Sequence, residues 1–144
     1  MDKKEEKAIY AIVSRDPKYP VAAYKFVSAG VQYTVHSCRK AEKQGVERHV
    51  TGQELLRGIL EFAALQYGFL APDVLEYWNF RTGRDIGNTV YAMIGAGILS
   101  AGPNDRLEDF DGIDDLVSAM NRILTRKQMN AEKSADETEN GGVI

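Results

Sequence analysis

The octapeptide ERHVTGQE gathers Arg48, His49, Thr51, Gln53 and Glu54 where an apolar helical pattern begins. The first backbone N–H groups of a helix lack partners within it and carry partial positive charge. A phosphate, a carboxylate or an acidic partner group can therefore settle there, with Arg48 and His49 beside it. The same residues have a plainer use. Thr51 and Glu54 stand three apart, the spacing of a capping box in which the threonine oxygen accepts from the N–H of Glu54 and the glutamate accepts from the N–H of Thr51. A glutamate held in that way also places negative charge where an anion must sit. The cap is the favoured reading, with Arg48 and His49 serving nearby carbonyls or carboxylates, and anion or partner binding is the alternative.

Other combinations carry less chemistry. His36 and Cys38 lie two apart on a helical pattern and so point to different faces, which leaves no transition-metal set with His49 as the only further imidazole. Cys38 shares the apolar face of Val31 and Val35, so an inert thiol is expected rather than a nucleophile paired with His36 or His49. The acids between Asp105 and Asp115 lack the alternation of a calcium-binding loop and read as a solvated charged face. Gly95–Ala96–Gly97 follows a helical pattern and lacks the strand that a nucleotide-binding glycine loop needs. No catalytic residue, metal site or cofactor is expected.

Two groups bear on nucleic acid. Arg39, Lys40, Lys43 and Arg48 form a basic connector suited to phosphates. Arg84 and Asn88 sit on a helical stretch as donors for base edges. Against them, the formal net charge is −3. After Met129 the acids Glu132, Asp136, Glu137 and Glu139 outnumber Lys133 by three, so residues 1–128 are neutral rather than basic. The segment 105–115 sets Arg106 alone against six acids, which repel a phosphate backbone. Sequence-specific DNA reading is not expected.

These residues depend on a helical frame. Ala8, Ile9, Ile12 and Val13 mark a short helix stopped at Asp16–Pro17. Tyr24, Val27, Val31, Val35 and Cys38 mark a second from Pro20 to about Lys43. After the connector, Leu55, Leu56, Ile59, Leu60 and Ala63 define a capped helix ending at Gly68, and Val74, Leu75 and Trp78 define a short one. Ile86, Val90, Met93 and Ile94 define a helix starting at Thr82 or Asp85 and stopping at Gly97. Residues 98–100 and 107–109 flank a Gly102–Asp105 turn, which predicts a small β-hairpin. Apolar positions from Ile113 to Leu124 mark a last helix from about Gly112 to Gln128. The fold class expected is mainly α, a helical bundle with one small hairpin. It forms a single domain over 1–128, with a disordered acidic tail over 129–144. One cysteine, a charged N-terminus and no long apolar run predict a cytoplasmic, non-membrane protein.

Two resemblances add to this reading. Trp78 closing one helix, Phe80 in the turn, Ile86, Val90 and Ile94 in the next, and AGILS after it resemble a winged helix-turn-helix over about Leu70 to Phe110. That likeness implies a winged-helix-like half with a wing at the predicted hairpin. RHVTGQELLRG, followed by LEYW, AGILS and LEDF, resembles a family of small bacterial proteins of uncharacterised role, many with serine at the position of Thr51. That likeness implies ancestry and no activity. The function expected is a non-enzymatic protein-interaction or regulatory module with a protein partner. The alternatives are a nucleic-acid-associated factor using the basic connector and a small-anion sensor at RHVTGQE.

Overall fold

The computed structural model describes residues 1–41 and 50–141, with side-chain surroundings for 1–38 and 50–135. Among them are six α-helices: α1 (Lys3–Arg15), α2 (Val21–Ala41), α3 (Gly52–Tyr67), α4 (Ala71–Tyr77), α5 (Gly83–Gly95) and α6 (Leu116–Gly141). Short 3-10 turns occupy Gly68–Leu70 and Leu107–Phe110. No helix among the described residues is long and apolar enough to cross a membrane.

Helix starts follow local chemistry. Asp2 caps α1 by accepting from the N–H of Glu5, and Thr51 and Glu54 form the reciprocal cap of α3. Thr82 and Asp85 do the same for α5. The turn into α5 passes through Asn79 at φ 66°, a left-handed conformation that asparagine tolerates better than most residues. Gly97, at φ 77°, turns the chain away after α5.

The core is one cluster shared by all six helices, from Ile9 and Tyr24 through Ile59, Leu75, Phe80 and Ile86 to Met120 and Leu124. Its most extensive seam joins α2 to α3. There a Cβ at Gly58 would lie 2.0 Å from the Thr34 Oγ1, so the missing side chain lets the helices approach. Phe26 anchors an aromatic group with Phe62, Tyr67 and Trp78, at centroid separations of 5.1–5.9 Å.

The hairpin expected at 98–109 is not found: no strand occurs among the described residues. Its first arm is used to finish α5, since the N–H groups of Ile98 and Leu99 both donate to the carbonyl of Met93, at 2.9 and 3.3 Å. Its turn closes through the N–H of Gly102 donating to the Asp105 carboxylate at 2.6 Å, and its second arm winds into a 3-10 turn. The carbonyls left over at a helix end outcompeted a three-residue ladder that had little surface to bury. At the other end, α6 continues through Gly141 into the segment expected to be a disordered tail. From Thr125 to Ala135 every side chain on it is exposed.

Candidate functional site

The start of α3 and the start of α5 meet across the acidic segment that precedes α6. Gly52 lies so close to Asp109 that a Cβ there would be 2.6 Å from the Asp109 Cβ. Gln53 donates its amide N–H groups to the carbonyls of Asp109 and Asp111, at 2.5 and 3.0 Å. On the α5 side, Phe110 packs over Gly87, and the N–H of Gly83 donates to the carbonyl of Ile113 at 2.9 Å. The TGQE residues therefore cap a helix and clasp a neighbouring loop. Arg48, His49 and Lys43 lie outside the described residues. Arg39 and Lys40 fall in the last turn of α2.

The two donors singled out for base reading are engaged within the chain. The Arg84 guanidinium donates to both carboxylate oxygens of Asp111, at 3.0 and 3.3 Å, and stands 3.9 Å from Glu108. The Asn88 amide donates to the Tyr19 hydroxyl at 3.1 Å, and that hydroxyl donates to Asp85 at 2.5 Å. Sequence reasoning missed this last cluster. The Thr82–Asp85 spacing announces a cap, but nothing local joins Tyr19 to residues 66 and 69 positions away.

Asp85 is the electrostatic centre of that cluster. Burial raises its pKa, but the hydrogen bonds from Tyr19, from the N–H groups of Arg81 and Thr82, and the charge of Lys18 outweigh burial, so the carboxyl sits below its usual range. Burial pushes the Tyr19 hydroxyl up; the Asn88 bond opposes this and Asp85 adds to it, so the phenol stays protonated. A carboxylate this fully engaged serves as a structural acceptor rather than a proton-transfer base. Because the folded pKa is depressed, the stability from Asp85 is present above the unfolded value of about 3.9 and is lost as pH falls through the lower folded one. Asp85→Asn is expected to lower the urea midpoint by a constant amount between pH 5 and 8 and by progressively less below about pH 4. A gap that stays constant down to pH 2 would remove Asp85 from this role.

No group of three His, Cys, Asp or Glu side chains placed to hold a metal ion occurs among the described residues. Cys38 is half-buried and His36 exposed. No family model, curated protein or solved structure matches the chain significantly.

What stands out instead is apolar surface. Tyr77 is 85% exposed, Phe69 70%, Leu70 64% and Leu65 57%. They come from the last turn of α3, the 3-10 turn after it and the end of α4, elements that pack against one another. Single exposed apolar residues are ordinary, whereas four large ones on three adjoining elements are apolar surface of the kind partners cover. In the sequence Phe69 and Tyr77 stand among further aromatic residues, Tyr67, Trp78 and Phe80. Which of them face water is decided by Trp78 and Tyr67 turning inward onto Phe26.

Proposed function

We propose that the chain is a non-enzymatic protein-interaction or regulatory module, with α4, the turn and α5 serving as a winged-helix-like scaffold rather than as a DNA reader. The observation that carries this is the apolar patch of Leu65, Phe69, Leu70 and Tyr77, whose side chains are all more than half exposed. Aromatic residues that surrender large apolar area on docking are the usual anchors of protein interfaces. The internal engagement of Arg84 and Asn88 points the same way, since a base-reading helix must leave such donors free for the groove.

The test compares the full-length protein with a Phe69→Ser, Tyr77→Ser variant in nuclease-treated pull-downs, beside a random-site duplex DNA titration. A stoichiometric protein partner that resists nuclease and is lost with the variant is the expected result. Duplex binding should show no sequence preference at near-physiological salt. Selection of one DNA sequence with nanomolar, Arg84-dependent affinity would overturn the reading in favour of a transcription regulator.

A further inference from the structure

A second surface lies between α3 and α6. It is a groove of about 370 Å³, lined by positions from Gln53 to Glu61 on α3 and from Ala119 to Asn130 on α6, and by Ile113. Along each helix these positions recur every three or four residues, so each presents one stripe to the groove. The floor is apolar: Leu56, Leu60 and Ala119 are buried, and Ile113 and Ile123 half-buried. The rim is basic, with Arg57, Arg122, Arg126 and Lys127 all exposed and Glu61 the single acid among the described lining residues. The ion pairs formed among the described residues engage none of Arg57, Arg126 and Lys127. Arg122 spends part of its field on Asp115.

We infer that this groove takes an acidic amphipathic helix of a protein partner, its apolar stripe on the floor and its carboxylates against Arg57, Arg122, Arg126 and Lys127. Four cations on a chain whose formal charge is −3 are a local reversal of sign, and they flank apolar surface rather than replace it. The groove runs about 12 Å along α3 and about 16 Å along α6, which fits two to three turns of helix. Nucleic acid suits it less. No aromatic side chain among the described residues lines the groove to stack a base, and phosphates gain nothing from an apolar floor. The inference rests on the reading of the chain as a protein-binding module but uses none of the patch residues, so the two can fail separately.

The experiment selects displayed random peptides of about 16 residues on the full-length protein. Enriched peptides are then titrated by fluorescence anisotropy against the wild type, an Arg122→Glu, Arg126→Glu variant, an Arg57→Gln variant and Tyr77→Ser, beside a mixed-sequence single-stranded RNA. The expected peptides place acids around apolar residues spaced three or four apart. Their affinity should fall about tenfold or more on charge reversal and about threefold in Arg57→Gln, and should be unchanged in Tyr77→Ser. Lysine-for-glutamate versions should prefer the reversed variant, a gain that an unfolded protein cannot give. Neutral or basic peptides, no enrichment, indifference to both rim variants, or groove-dependent binding of RNA alone would each overturn the inference. Peptide binding lost only in Tyr77→Ser would overturn it while supporting the apolar patch.

Discussion

Truncating Phe110 to alanine is expected to cost about 3–5 kcal/mol, the range for a fully buried phenylalanine. Phe110 is 2% exposed and is the one buried side chain between Asp105 and Asp111. Its ring fits the notch left by Gly87, where a Cβ would lie 2.7 Å from the ring, and it meets Tyr91 edge to face at 6.4 Å. The polar ties of the same segment cannot replace it. The Arg84–Asp111 pair is exposed, and such pairs contribute about 0–1 kcal/mol. Urea denaturation of Phe110→Ala beside Arg84→Ala checks the ranking, with the alanine at 110 several times more damaging. Equal losses would mean that charge, not packing, docks the acidic segment.

The second large effect is a substitution that helix propensity alone recommends. Gly58→Ala inside α3 should gain about 1 kcal/mol from propensity, yet it is expected to destabilise by about 1–3 kcal/mol net. The added Cβ would stand 2.0 Å from the Oγ1 and 2.4 Å from the Cγ2 of Thr34. Thr34 cannot swing clear at no cost, because it is 3% exposed and its hydroxyl donates to the carbonyl of Gly30 at 2.7 Å. Thr34→Ala removes the two nearest atoms and leaves the Thr34 Cβ, 2.7 Å away, so the double variant should recover part of the loss, a coupling that additive sites do not show. Gly95, at the end of α5, meets nothing within 4 Å of a built Cβ, and Gly95→Ala should be neutral or stabilising. Thermal melts of the wild type and these four variants decide whether the α2–α3 seam is as close as described. A stabilised Gly58→Ala would show that it is not.

The helices were legible because their signals are local. The apolar stripe of α3 and its Thr51–Glu54 cap lie within a dozen residues, and the cap bonds form as the spacing predicts. Thr82 and Asp85, the two residues at which α5 was expected to start, proved to be partners in a second cap. The hairpin was misjudged for the opposite reason. Turn residues between two short apolar arms are equally suited to closing a helix, and the choice fell to the spare Met93 carbonyl beside them.

The roles of polar side chains with distant partners were not legible. Arg84 and Asn88 looked like free donors on an exposed helical face. Their engagement depends on Asp111, 27 positions away, and Tyr19, 69 positions away. By itself, then, the chain's order of residues determined where α3 and α5 begin and which stripes turn inward, because those follow from hydrogen bonds and burial patterns a few residues long. The tertiary structure alone decided that the acidic segment clasps the starts of α3 and α5, that aromatic surface stays uncovered near Tyr77, and that Arg57 joins Arg122 and Arg126 around one groove. Each of these depends on which helices pack together, and that is settled by long-range apolar contact between side chains the chain order keeps far apart.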